Sequence, residues 1–166
     1  VGHGAQVTPA LDVADVILVN TCGFIDAAKK ESIDAMIEAA GHKTTGRCRA
    51  VVAVGCLVAR YKEDLQQEIP EVDYFYGFGD LPGLMPQLQA DGLLDAPEAL
   101  HPGLRTFFGT KPHVRYMKIS EGCDHTCAFC AIPLMRGKHR SRPALELVRE
   151  AQELEAQGAK EINLVA

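Results

Sequence analysis

The sequence contains no run of about 18 uncharged apolar residues, so no segment is expected to span a membrane. It opens with no charged, apolar and small-residue leader, so no secretion signal is visible. There is no internal repeat and no low-complexity tract. Six cysteines in 166 residues are too few, in too long a chain, for a disulfide-stapled miniature domain. The chain does not begin with Met, and it closes on residues 161–166, an apolar strand with neither partner nor connection after it. Those two ends are the expected marks of a piece of a longer protein.

What is there reads as globular. With 47% apolar and 23% charged residues, the chain is neither disordered nor collagen-like. A length of 166 residues predicts one domain and a fraction, enough to bury a real core. The formal net charge of −5 hides an asymmetry. Residues 1–104 carry 7 Lys+Arg against 15 Asp+Glu, whereas residues 105–142 carry 8 against 2. The basic stretch either attracts nucleic acid or an anionic cofactor, or is a solvated loop.

Residues 15–20 form a short apolar run with polar bounds, a buried-strand pattern. A helix follows, with Ile33, Met36, Ile37 and Ala40 on one face and Gly41 as its expected stop. Residues 50–54 predict a second strand, 58–69 a helix ended by Pro70, 72–77 a third strand and 81–89 a short helix. Strands alternating with helices imply an α/β fold with a parallel sheet. Ligands gather beyond the carboxyl ends of such strands, where Cys22 and Cys56 both fall, so the two could meet in space. The Gly and Pro residues between 91 and 113 suggest a linker. Past it, residues 114–120 read as a strand, 121–142 as a functional loop, 143–157 as a helix and 161–166 as a strand. Pro143 is expected at the first helical position and Gly158 at the stop, with Leu147, Ala151 and Leu154 on one face.

The sharpest feature is Cys123-Asp124-His125-Thr126-Cys127-Ala128-Phe129-Cys130. Three thiolates can hold three irons of a cubane and leave the fourth open to chelate a substrate or cofactor, whereas electron-transfer clusters usually have four protein thiolates. A zinc site is the competing reading, with His125 or His139 as the fourth ligand, although this spacing is not a usual zinc spacing. A disulfide plus a free thiol, or plain core cysteines, are the remaining readings. Free cysteines at ligand spacing argue for a reducing, cytoplasmic location.

This triplet resembles the signature of the radical S-adenosylmethionine superfamily. The resemblance implies that Cys123, Cys127 and Cys130 bind a [4Fe–4S] cluster whose open iron chelates S-adenosylmethionine. It also implies that Phe129 lies near the adenine; core packing is the alternative for that ring. Residues 118–123, 132–137 and 141–143 resemble the methylthiotransferase branch. So do Val19-Asn20-Thr21-Cys22-Gly23-Phe24-Ile25 and Val54-Gly55-Cys56-Leu57, which are similar to two of the three ligand sites of a second cluster. The fold implied is α/β: an incomplete amino-terminal parallel-sheet βαβ domain over 1–104, then the first βαβ unit of a partial TIM-type barrel, truncated, over 105–166. The third ligand of the second cluster is expected upstream, because none of the 21 residues before Cys22 is Cys. Cys48 reads as a buried or edge thiol.

Gly-Phe-Ile after Cys22 is similar to the RimO type, which modifies a ribosomal protein. The tRNA-modifying MiaB type, and a non-catalytic metal-cluster or RNA-binding module, are the alternatives. The resemblance implies two [4Fe–4S] clusters and S-adenosylmethionine, cleaved homolytically to a radical that takes hydrogen from an unactivated carbon. For the RimO type that carbon is the β-carbon of an aspartate in small-subunit ribosomal protein twelve. An electron donor such as flavodoxin and an RNA contact are further implied partners, with no membrane. Arg136, Lys138, Arg140 and Arg142 either neutralise a carboxylate or form a solvated face. These 166 residues alone are expected to be inactive.

Overall fold

The computed structural model describes residues 5–95 and 113–166. The expected domain boundary at 104/105 and most of the expected linker lie outside those residues. The described residues divide into two compact units, one built on 5–95 and the other on 113–166, apart from Leu134–Arg136, which group with the first.

The first unit alternates strand and helix: β1 (Val16–Thr21), α1 (Asp26–Thr45), β2 (Ala50–Gly55), α2 (Cys56–Glu68), β3 (Tyr74–Tyr76) and α3 (Leu84–Ala90), the last entered through a 3-10 turn at Leu81–Gly83. The strands form one parallel sheet in the order β1-β2-β3. Every residue of β2 is buried, as expected of an apolar run with no alternation. Its side chains serve two cores in turn. Val51 and Ala53 pack with Ile17, Met36, Ala39, Leu57, Val58, Leu65 and Phe75, while Val52 and Val54 pack with Leu84 and Leu88. Helices α1 and α2 therefore cover one face and α3 the other.

Helix α1 departs from expectation. It runs through Gly41 to Thr45 and is capped by the Gly46 N–H on the His42 carbonyl at 2.9 Å. The apolar periodicity also misplaces the buried face: Ser32, Met36 and Ala39 point inward and Ile37 is 56% exposed. Strand β3 is three residues long, shorter than the apolar stretch around it. Its start is tied to the sheet by Asp73. One carboxylate oxygen accepts the Val51 N–H at 2.8 Å and the other the Lys43 ammonium at 2.7 Å.

The rest of the chain runs β4 (Val114–Lys118), β5 (Ser120–Glu121), α4 (Ile132–Arg136), β6 (Arg140–Ser141), α5 (Ala144–Ala156) and β7 (Glu161–Val165), all of it in the second unit except the last three residues of α4. Strands β4 and β7 pair in parallel around α5, the expected βαβ connection. Met117, Leu154 and Ala159 form its core with Leu147, Ala151 and Ile162 against it. Gly158 ends α5 at φ 95, whereas Pro143 caps the helix rather than opening its first turn. The stretch expected as a plain loop holds more structure: β5 and β6 pair antiparallel and α4 lies between them. No helix among the described residues is long and apolar enough to cross a membrane.

Candidate metal-cluster sites

The first site follows from strand register. Thr21 pairs with Gly55 across β1 and β2, and Cys22 and Cys56 are the next residue of each. Adjacent parallel strands lie about 4.8 Å apart, so the two cysteines leave the sheet side by side. Close packing keeps them there. A Cβ on Gly23 would come within 2.9 Å of the Leu57 Cα, so the backbone after Cys22 rests on the first turn of α2. Gly55 has φ 110, and a Cβ there would lie 2.5 Å from the Thr21 carbonyl oxygen. Only glycine fits that junction without strain. The Thr21 hydroxyl donates to the Val54 carbonyl at 2.7 Å, a buried bond that joins the two strand ends. Cys22 is exposed and Cys56 half-buried, both with free thiols. Cys56 opens α2, whose backbone is kinked at Tyr61.

Cys48 is not part of this site. It is buried at the entrance to β2, its thiol donates to the Ala50 carbonyl at 3.3 Å, and burial pushes its pKa up. A hollow of about 950 Å³ in this unit runs along β1 and the segment before it, and neither Cys22 nor Cys56 lines it.

The second site is built by a turn. Gly122 has φ 81, and a Cβ on it would sit 2.3 Å from the Lys138 carbonyl oxygen. The chain can pass so close to β6 only because that Cβ is missing. The Cys123 N–H donates to the Gly137 carbonyl at 3.1 Å, and the Asp124 carboxylate accepts the His139 N–H at 3.0 Å. These bonds pin the start of the cysteine loop to the strand that leaves it. The Cys130 N–H closes a turn on the Cys127 carbonyl at 3.1 Å. A hollow of about 380 Å³ lies beside the loop, lined by Cys123, Asp124, His125, Thr126, Pro133 and Lys138.

Cys123 and Cys130 are half-buried, Cys127 is exposed, and all three are free. The disulfide reading is therefore not realised, and neither is core packing for Phe129, which is 93% exposed. Among the described residues no three His, Cys, Asp or Glu side chains converge on a common metal position. The donor set itself fits an iron–sulfur cluster: three free thiols within eight residues, on one pinned loop beside a hollow. Of the histidines of the zinc reading, only His125 shares the hollow with Cys123 among the described residues. The His139 ring contacts the Ser141 hydroxyl at 3.2 Å.

The basic residues after the loop divide. Arg142 is a strut: its guanidinium donates to the Lys118 carbonyl at 2.9 Å and pairs with Glu150 at 2.5 Å, tying the end of β4 to α5. Lys138 faces the hollow, and Arg140 is exposed on β6. Ser32, Gly122 and Asp124 belong to no spacing pattern that singles them out. A glycine immediately before the first cysteine of the triplet was the one legible hint.

Two families match the chain. Residues 1–77 match an uncharacterised protein family, UPF0004, and residues 117–166 the radical SAM superfamily. Among curated proteins, the chain is 46% identical over 170 residues to the ribosomal protein uS12 methylthiotransferase RimO of Symbiobacterium thermophilum, covering 98% of the chain and 35% of that protein. It is 49% identical over 158 residues to the protein of the same name from Anaeromyxobacter sp., covering 92% and 34%. It is 44% identical over 169 residues to that of Chlorobaculum parvum, covering 100% and 37%. The chain thus spans about a third of the length of the curated relatives it matches.

Proposed function

Because this chain belongs to the methylthiotransferase family of radical S-adenosylmethionine enzymes, of the RimO type, we propose that the whole protein adds a methylthio group to ribosomal protein uS12, at the β-carbon of an aspartate. The observation that carries this reading is the pairing of two cysteine sites on one chain. The first lies directly beyond the carboxyl ends of the parallel strands β1 and β2, where α/β sheets bind ligands, and the second on the loop that follows the parallel strand β4 and the short β5.

In this reading Cys123, Cys127 and Cys130 hold one [4Fe–4S] cluster, and Cys22 and Cys56 supply two ligands of a second. When bound, the first cluster and S-adenosylmethionine supply one-electron chemistry that can remove hydrogen from an unactivated carbon. The chain's own residues bind and orient. Gly122 and Asp124 fix the direction in which Cys123 leaves β5. Lys138 places a positive charge at the hollow beside Cys123, suited to a carboxylate. Phe129 presents an uncovered ring for the adenine of the cofactor. The unit of residues 1–104 serves the second cluster and that of 105–166 opens the radical domain. A small one-electron donor of the flavodoxin kind would supply the electron for that chemistry, the basic stretch is a contact surface for RNA, and the protein works in the cytoplasm.

The test uses full-length protein reconstituted with iron and sulfide without oxygen. Replacing Cys123, Cys127 or Cys130 by Ala should abolish reductive cleavage of S-adenosylmethionine, while Cys22→Ala or Cys56→Ala should leave cleavage and abolish methylthiolation of uS12. Intact cleavage in a Cys123→Ala protein, or transfer to tRNA in place of uS12, would overturn the reading.

A further inference from the structure

The side chain of Ser32 lies on α1, ten residues past Cys22, and is only 7% exposed. It is a polar residue at the centre of the helix face that packs on the sheet, between Ala28 and Met36. Its hydroxyl is fully occupied. The oxygen accepts the Cys22 N–H at 2.9 Å, and the single hydroxyl proton goes to the Ala28 carbonyl at 2.8 Å, with the Cys22 carbonyl at 3.3 Å as a weaker alternative. A relay thus runs from the Cys22 amide through Ser32 into the first turns of α1.

We propose that Ser32 is a positioning residue for Cys22, holding it in the direction a metal cluster needs. The inference rests on the reading of Cys22 as a cluster ligand and goes beyond it to a residue that touches no metal. Cys22 is exposed, so no core packing fixes it. Among the described residues, its backbone is held by Ser32 at its own amide and by the contact of Gly23 with Leu57. With both in place, the Cys22 thiol has only its side-chain rotamers left to choose among, beside Cys56. With the first removed, residues 22–25 between β1 and α1 are free to turn the thiol away. The same bond also keeps the Cys22 N–H occupied, so that it does not point at the cluster sulfurs. Partners of this outer kind commonly govern metal affinity by about 10–100-fold.

The experiment uses full-length protein in which Cys123, Cys127 and Cys130 are all Ala, so that iron at the amino-terminal site is read alone. Ser32→Thr and Ser32→Val have the same shape and differ by the hydroxyl. Iron retention against a chelator and the electron paramagnetic resonance signal of the reduced cluster are measured for each, together with thermal unfolding of the iron-free forms. Ser32→Val and Ser32→Ala should hold iron about 10–100-fold more weakly and give an altered signal, with Ser32→Thr close to the parent. Equal retention in the Thr and Val proteins overturns the proposal. So does lower stability in Ser32→Ala with undiminished iron in the folded protein, which would make the role purely structural. If Cys22→Ala itself retains iron, the ligand reading has failed and Ser32 falls with it. If Cys22→Ala loses iron and Ser32→Val does not, only the positioning role is refuted.

Discussion

Cys22 and Cys56 are 34 residues apart and each follows the last paired residue of a parallel strand, whereas Cys123, Cys127 and Cys130 fall within eight residues on a loop held between two two-residue strands. The first site is brought together by the whole sheet. Its geometry is the register Thr21↔Gly55, which six residue pairs and two cores enforce. The second is held by one glycine turn and a few hydrogen bonds, among them Cys123 to Gly137 and His139 to Asp124. In the first unit, site and stability are therefore one property. In the second they can be separated, because the loop contributes little to the core of Met117, Leu154 and Ala159.

The strongest way to break that contrast is to give each junction a side chain it has no room for. Gly55→Ala forces a residue into φ 110 and drives its Cβ against the Thr21 carbonyl, where the fully buried β2 pairs with β1. A left-handed strain of about 1–3 kcal/mol adds to the clash, and the neighbours cannot yield without parting β1 from β2. The first unit should lose cooperative unfolding. Gly122→Ala meets an even closer carbonyl, that of Lys138, but β5 and β6 can splay. Its expected outcome is loss of the radical-domain cluster with little change in hydrogen exchange of β4 and β7. Equal destabilisation of the two units, read by site-resolved hydrogen exchange, would remove the distinction.

A smaller effect sharpens the sheet side alone. Asp73→Ala removes the acceptor for the Val51 N–H, on a fully buried residue of β2, and the anchor for Lys43. An unsatisfied buried amide costs about 1–3 kcal/mol. Chemical denaturation should show a loss in that range. Iron binding at Cys22 and Cys56 should follow the stability, since the register carries both.

Much of this was legible in the sequence because β2 is buried on both sides and β1, though partly exposed at Leu18, also reads as an apolar run. The parallel pairing then placed Cys22 beside Cys56 with no further information. The triplet was legible for another reason: its ligands are consecutive enough to need no fold. What escaped was set by contacts between distant residues. Gly41 reads as a helix stop because glycine costs about 1 kcal/mol in a helix, yet packing of Met36 and Ala39 on the sheet carries α1 past it. The inward face of α1 includes Ser32, a polar residue that apolar periodicity skips, and that shift leaves Ile37 outside. Strands β5 and β6 are too short to show any period, and the Asp124–His139 bond joins positions 15 apart.

The mildest effect concerns the far edge of the same sheet. Tyr74 on β3 donates its hydroxyl to Asp91, at the end of α3, at 2.5 Å, and Gln87 donates to the same carboxylate oxygen at 2.9 Å. The bond to Asp91, then burial, push the Tyr74 hydroxyl from its usual 10 up to about 12. The Gln87 and Tyr74 bonds hold Asp91 below its usual 3.8. A raised folded-state pKa contributes stability that is complete below pH 10 and is lost as pH rises from there through about 12. The depressed Asp91 acts at the other end: its contribution is present above 3.8 and lost as pH falls through its lower folded value. Tyr74→Phe removes the first dependence entirely and weakens the second, since the Gln87 bond stays. Thermal midpoints of the parent should therefore fall more steeply than those of Tyr74→Phe between pH 10 and 12. Because Tyr74 pairs with Val52 of β2, the difference belongs to the sheet that carries Cys22 and Cys56. Parallel alkaline curves for the two proteins would mean that the β3 edge is not coupled to α3 through this bond, and that the sheet's stability rests on its apolar faces alone.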